Sequence, residues 1–569
     1  MRTLPNTVLG VIAETAAASL SAASGGPVAC GALGRYDRDR VLRMAAAFER
    51  APRPVHEDED SILMLDREPL RWSGSRQRGA GWIQGDLWRR GPGVSDWRAA
   101  ARRGACGLVV DGRRRFVHSA VNGLAPVYWL EDGGATYFSS RIEPLVRSSP
   151  SRLSIDWDAW ASIIALRYPL GSRTPFAEIR RLEPFSTLRR RFQRTRLESP
   201  TWPWAEIEPH LDLDAGAEAT VAALRHSLAP LEGAILCPLS GGRDSRLLLS
   251  ILAGPKRASL TALTVSDDEG APFEEDLAAG VAKTLGIAHE RVGARIEDYP
   301  AEWDERARRV EHQFVDHAWL VPLGRRVAGA GSPVPDGYAL DTLMQTGVRF
   351  HTPEVLDISD PRASNLALFE SLRQYGLAHL ALEKRFHEPI LSRSRDQFLA
   401  VARPFEGHPS QPNLVLYASR SVRGVSTYPS GLLGQEAHVF VPGAQDAVAR
   451  AILSVSMADK GAAGLQAAVQ ARAEPRLANL PSTGNTPRTE PYLPRRWRSE
   501  PAVEMHRAHL AEGPLAPHLS PELQAWLSDS GGELSPDLRL GMEAVSLLHS
   551  WWASYREHLR EVNPSDLLG

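Results

Sequence analysis

The sequence predicts a two-part chain: a mainly β domain with flanking helices (α+β), followed by an α/β domain built on a parallel sheet. Three observations predict it. Between residues 30 and 150, short strand-like runs such as GLVVDGRRRFVHSA and ATYFSS are separated by Gly, Asp and Pro turn signals. After residue 204, apolar runs of strand length alternate with segments of helical period, the pattern of a doubly wound parallel sheet. From residue 353 onward the periodicity is helical, up to AVSLLHSWWASYREHL near the end.

In chain order, residues 1–29 form an N-terminal extension, rich in Ala, Ser and Gly but interrupted by Glu14, and poor as a signal peptide or membrane span. Residues 30–204 make the first domain. Within it SIDWDAWASIIALRYPL reads as a helix, and RRLEPFSTLRRRF with ESPTWPWAEIEP reads as a connector ending near Trp204. The second domain, 205–569, opens with AGAEATVAALRHSLAPL as a helix and residues 233–239 as a strand. A helix follows, carrying Leu247, Leu248 and Ile251 at helical spacing and stopping at Gly254. SLTALTV is then a strand, FEEDLAAGVAKTLGI a helix, and EWDERARRVEHQF a further helix.

Composition narrows the function classes. With 569 residues, 43% hydrophobic and 24% charged, the chain can bury sizeable cores, and a net charge of -2 argues against coating nucleic acid. Cys30, Cys106 and Cys237 show no C-x-x-C spacing, so neither a disulfide framework nor a zinc site is expected, and a reducing cytoplasm fits. No other apolar run reaches membrane-spanning length. Lysine occurs only at 256, 283, 384 and 460, so nearly all positive charge is arginine. His312 and His317, five apart, would diverge by about 140° on a helix, which excludes a zinc pair on one face.

The stretch ILCPLSGGRDSRLLL joins a strand's carboxyl end to a helix's amino end. There the first helical N–H groups lack internal partners, the helix dipole favours an anion, and Gly241 and Gly242 admit close approach to the backbone. The missing lysine and the spacing exclude a Walker loop. In open α/β sheets ligands bind outside the carboxyl ends of the strands, where this loop falls. Further on, SPVPDGYALDTLMQTG holds Asp336, Gly337, Tyr338 and Asp341 after a short strand-like piece. With Val334 on a strand beside the first, Asp244 and Asp341 would face the same ligand, and two carboxylates suit Mg2+.

S-G-G-x-D-S resembles the pyrophosphate loop of ATP pyrophosphatases. SGGRDSR and DGYALD together resemble the two signature loops of the class B asparagine synthetase superfamily, and ACGALGRYDRDRVLRMAAAF and NGLAPVYWLEDGGATYFSSRIEPLV resemble its glutaminase domain. The resemblance implies an α+β N-terminal glutaminase-like (Ntn-type) sandwich followed by an α/β ATP-pyrophosphatase (PP-loop) synthetase domain. It implies ATP and Mg2+ as cofactors. ATP or pyrophosphate would be bound by Leu239, Ser240, Gly241, Gly242, Asp244, Ser245, Val265 and Gly337, and the metal by Asp244 and Asp341.

Departures from the family pattern sharpen the expectation. The glutaminase cysteine is N-terminal in the family, whereas Cys30 is internal, and WIQGDLW stands where an Asn-Gly-Glu segment is expected, so the first domain is expected to be inactive. Tyr338 replaces the glutamate of asparagine synthetases, as in β-lactam and carbapenam synthetases, where the tyrosine helps deprotonate an attacking amine. A phenol, with pKa near about 10, needs a partner carboxylate for that; Glu370 stands where that family keeps one. No lysine matches the family's adenylate-stabilising residue: Arg488 is nearby and Lys460 lies well upstream.

LPST, the DSRLL ending of the loop and VEHQFVDHAWLVPLGRRV look most like the lasso peptide cyclases of this superfamily. That resemblance implies an ATP-dependent, AMP-forming ligase that joins a side-chain carboxylate of a precursor peptide to its N-terminal amine. A leader peptidase and a leader-binding protein would be partners. The alternatives are an ammonia-dependent asparagine synthetase-like or β-lactam synthetase-like small-molecule ligase, an N-terminal-nucleophile amidase using Cys30, and a nucleotide-binding regulatory module.

Overall fold

The computed structural model describes residues 27–73, 77–83, 95–191, 194–265, 273–344, 358–373, 377–434, 437–461, 463–483, 486, 499–528 and 534–568. The first domain is a sandwich of two six-stranded antiparallel sheets. One runs β10 (Arg180–Arg181), β8 (Tyr128–Asp132), β9 (Ala135–Ser139), β1 (Ala29–Leu33), β3 (Ser61–Leu65), β2 (Arg53–Asp58). The other runs β12 (Arg194–Glu198), β11 (Thr187–Arg191), β7 (Arg114–His118), β6 (Ala105–Asp111), β5 (Gln77–Ile83), β4 (Leu70–Ser73).

Period-2 alternation sorts the strand residues between layers. Ala29 and Leu33 of β1 meet Ala80, Trp82, Cys106, Leu108, Val117 and Leu188 of the opposing sheet in the inter-sheet core. Cys30 and Ala32 point the other way, into the core shared with the flanking helices. Helices α1 (Arg38–Ala46) and α3 (Glu143–Ser148) pack on the β1/β9 side, and α2 (Trp97–Arg102) packs on β6. α4 (Trp157–Leu166) starts where the Asp156 side chain accepts from Ala159 N and ends at Arg167 in the left-handed conformation, φ 75°.

The segment read as a connector is strand instead. Residues 180–181 pair with β8, and Thr187–Arg191 pairs with both Arg194–Glu198 and β7, because Leu188 is buried between the sheets and Arg190, on the same face, reaches Thr136 across them. The tryptophans that follow fasten the two domains. Trp202 and Trp204 stack at 5.0 Å, Trp204 meets Tyr417 at 4.9 Å, and their indole N–H groups donate to Val121 O (2.9 Å) and Asp446 Oδ1 (2.8 Å).

The second domain holds the parallel sheet β13 (Ile235–Pro238), β14 (Leu260–Thr264), β15 (Ala288–Arg291). Beside β13 packs β16 (Pro333–Pro335), itself paired in parallel with β17 (His438–Phe440). Helices α5 (Leu213–Leu228), α6 (Asp244–Lys256), α7 (Phe273–Leu285) and α8 (Tyr299–Arg309) accompany the sheet. Two helix ends differ from the sequence reading. α6 runs through Gly254 and Pro255 to Lys256, and α8 stops at Arg309 because Glu311 and His312 adopt φ of 52° and 56°. The C-terminal part is mostly helical, ending in Pro536–Tyr555. Among the described residues no helix is long and apolar enough to cross a membrane.

Candidate functional site

The loop after β13 and the loop after β16 converge on one cavity of about 340 Å³, within the ~300–1,000 Å³ range of small-molecule sites. Ser240, Gly242, Asp244 and Ser245 line it from the first loop, and Asp336, Gly337, Tyr338, Ala339 and Asp341 from the second. Leu239 and Val265, at the ends of β13 and β14, complete that side. Gly337 is required by proximity. A Cβ there would lie 3.0 Å from Asp244 Cβ and 3.2 Å from Ser245 N, so only glycine lets the second loop reach the start of α6.

Three consecutive N–H groups of the first loop are satisfied by side chains. Ser240 N donates to Ser245 Oγ (3.1 Å), Gly241 N to Glu274 Oε2 (2.8 Å) and Gly242 N to Ser240 Oγ (3.2 Å). A carboxylate and two hydroxyls thus occupy the donors that an anion at a helix N-terminus would use. Arg246, one turn into α6, donates to the carbonyls of Leu480 (3.0 Å) and Pro481 (2.5 Å), and Thr483 N donates to Gly241 O (3.0 Å). The arginine of SGGRDSR therefore binds the LPST segment across the loop.

Asp244 is the electrostatic centre. Burial first, and then the neighbouring Asp341, push its carboxyl well above the usual carboxylate range, while Gln466 donates to Asp244 Oδ1 at 2.8 Å and partly opposes the shift. Asp341 accepts from Thr342 N (2.6 Å) and its hydroxyl (3.1 Å). Two carboxylates facing one cavity, one of them desolvated, fit a divalent cation that would neutralise them. Among the described residues no group of three or more His, Cys, Asp or Glu is disposed for a metal, and Mg2+ held through two carboxylates plus phosphate oxygens requires none. Asp336 accepts from Tyr338 N at 2.8 Å, and burial raises its carboxyl to about 6 against the pull of the Tyr338 N–H and the Tyr428 hydroxyl.

Tyr338 lines the cavity, and its buried hydroxyl has no hydrogen-bond partner. Burial, then the neighbouring Tyr417, pushes the phenol well above its ordinary value, so it holds its proton. Tyr417 donates its own hydroxyl to Asn122 O at 3.0 Å. Glu370 sits on the helix Pro361–Arg373 with its carboxylate paired to Arg373, and it does not line this cavity. Arg488, residues 84–88 of WIQGDLW and residues 1–26 of the N-terminal extension lie outside the described residues.

Sequence reasoning left the lysine unplaced. Lys460 closes a short helix, Met457–Lys460, just before the helix Gly464–Ala473 that carries Gln466 to Asp244. Its ammonium nitrogen is buried without a partner, and desolvation lowers its pKa to about 7. The available signal was Ser456, whose side chain accepts from Asp459 N and caps that helix. The wall opposite the loops was also missed: His317, Trp319, Arg420, Val425 and Tyr428 line it, the last three from π-helical turns at Tyr417–Val425 and Tyr428–Leu433. Such turns gather at functional sites.

Cys30 lies within β1, paired to Met64 and Ser139, with Ala29 N donating to Ser140 Oγ and Val28 N to Asp66 Oδ1. Burial pushes its thiol strongly upward. A protonated, enclosed thiol is a poor nucleophile. Cys30→Ser is expected to leave any ATP-dependent activity unchanged, and glutamate assays should detect no hydrolysis of glutamine by the parent; stoichiometric glutamate release would overturn this.

No family model matches the chain, and no curated protein sequence does. Among solved structures, glutamine phosphoribosylpyrophosphate (PRPP) amidotransferase from B. subtilis, complexed with ADP and GMP, is similar over 47% of this chain at 11% identity and a TM-score of 0.20. The match spans 65% of that chain, less than two thirds of its length, and likeness at this level assigns no function.

Proposed function

We propose that the chain is an ATP-dependent, AMP-forming amide ligase, with an Ntn-type first domain that no longer hydrolyses glutamine and a PP-loop second domain, acting as a lasso peptide macrolactam cyclase. The observation that carries this reading is the convergence of the Ser240–Ser245 loop and the Asp336–Asp341 loop on one cavity, which Asp244 and Asp341 both line. A carboxylate of the precursor peptide attacks the α-phosphorus of ATP, and pyrophosphate departs toward the Ser240–Ser245 loop, where it would displace Glu274 and the two serine hydroxyls from the N–H groups of residues 240–242. Asp244 and Asp341 would hold Mg2+, which would supply charge neutralisation there. The peptide's N-terminal amine then displaces AMP and the amide closes the ring. Both reacting groups belong to one molecule, so an inert first domain costs the reaction nothing.

Tyr338 belongs to the second half-reaction in this reading. Its protonated hydroxyl would donate to the reacting carbonyl or the departing phosphate. Incubating ATP with a leaderless precursor peptide should release pyrophosphate and yield a product lighter by one water in mass spectra. Tyr338→Phe should keep carboxylate-dependent pyrophosphate release in a single turnover and slow ring closure, with its release of AMP, by about 10²-fold. Absence of pyrophosphate release from the parent would refute the adenylation reading.

A further inference from the structure

The segment 311–317 is conformationally strained and tied to the first domain along its length. Glu311, His312 and His317 have φ of 52°, 56° and 74°, left-handed values uncommon for residues other than glycine. Glu311 Oε1 accepts from the N–H of Ile142 (2.5 Å) and Glu143 (3.2 Å) at the start of α3. Gln313 donates to the Tyr128 hydroxyl (2.8 Å), and Val315 N donates to Arg167 O (3.2 Å). Arg167, itself left-handed at the end of α4, holds Asp316 Oδ1 at 2.5 Å and Glu543 at 2.5 Å. The residue this clamp delivers to the cavity is His317.

The His317 ring sits among Phe314 (5.1 Å), Tyr428 (6.0 Å) and Trp319 (6.2 Å), and its Nδ1 is buried with no hydrogen-bond partner. Desolvation lowers its pKa to about 4 against the pull of Asp316, so the ring is a neutral acceptor at pH 7. The other groups on the cavity are already engaged or are donors. Asp244 and Asp341 face each other, Asp336 is engaged by the Tyr338 N–H and the Tyr428 hydroxyl, and Tyr338 and Arg420 are donors.

Resting on the ligase reading, we propose that His317 is the proton acceptor for the attacking amine, held in place by the first domain through Arg167 and Glu311. In that step the amine nitrogen forms the C–N bond to the acyl-adenylate. The C–O bond to phosphate breaks with its electron pair leaving on AMP, and the amine proton passes to the imidazole. The first domain, without a usable nucleophile, then serves the reaction by setting one side chain's position.

The test uses the full chain, ATP with Mg2+, and synthetic leaderless peptides with a free N-terminal amine and an internal Asp or Glu. His317→Gly suits the left-handed backbone and opens a ring-sized gap. In a single turnover it should release pyrophosphate within about twofold of the parent while cyclised product falls about 10²- to 10⁴-fold, and added imidazole should restore product without changing that first release of pyrophosphate. His317→Asn, which also tolerates this backbone, should show the same split without rescue. Arg167→Lys should retain more product than Arg167→Met. Parental cyclisation in His317→Gly, loss of its pyrophosphate release, or failure of imidazole to restore product would overturn the His317 role and leave the ligase reading standing. No pyrophosphate release from the parent would overturn both.

Discussion

Asp244→Asn is expected to lower pyrophosphate release by at least about 10³-fold while raising the thermal unfolding midpoint by a few degrees. The two effects have one cause. The Asp244 carboxyl is buried beside Asp341, and both burial and that neighbour oppose its ionisation. Asn keeps the shape and can still meet the Gln466 side chain, so the unliganded fold loses a repulsion. It cannot supply the anionic ligand that would hold Mg2+ against the triphosphate, and losses of transition-state charge stabilisation are of this size. Asp341→Asn should behave alike, and the double variant should be no worse than either single one, because the two act as a unit. Mg2+ with ATP should stabilise the parent against heat and leave Asp244→Asn unmoved, as ligand linkage requires. Calorimetry and a pyrophosphate assay check this; full turnover in Asp244→Asn would remove the aspartate from the site.

Acid should unfold this protein well above the pH at which ordinary exposed carboxylates titrate. His118, His312, His506 and His549 are buried, and desolvation lowers their pKa values to about 4, 3, 3 and 4. In the unfolded chain each takes a proton as pH falls below about 6.5. Between that pH and the folded values the unfolded state binds more protons, so stability falls with falling pH through this window and levels off below it. At pH 5 each fully shifted imidazole costs about 2 kcal/mol, against a total stability typically of only about 5–15 kcal/mol. The thermal midpoint should therefore drop steeply between pH 6.5 and 5. His118→Phe, which keeps an aromatic ring against Trp72 and Trp97, should shift the acid transition to lower pH. A flat midpoint across that range would refute the account.

What the sequence made legible was local in origin. β13, its loop and α6 follow from a strand-length apolar run, two glycines and helical spacing, all within about twenty residues. The β6–β7 hairpin was readable for the same reason, from alternation around Asp111 and Gly112. The meeting of Asp244 and Asp341 was expected from a strand placement, and the structure puts β16 beside β13. What could not be read depends on distant partners. β17 joins β16 across a long span of helices, and the arginine-rich β11–β12 hairpin looks like a linker until Leu188 finds the inter-sheet core. Helical period runs through VEHQF, yet α8 stops because Glu311 is taken by the N–H groups of Ile142 and Glu143. The cavity wall from His317 to Tyr428 follows from that stop. Lys460 was visible only as one of four lysines, and its buried position is a tertiary property.

All three cysteines of the chain are enclosed: Cys30 and Cys106 in the sandwich, Cys237 on β13. The native surface therefore offers no thiol to maleimide reagents, and a single cysteine introduced on an exposed position becomes a unique attachment point. A dye pair of that kind, one on each domain, would report whether the two halves move as ATP binds, with no background from native sulfhydryls and no need to delete them first.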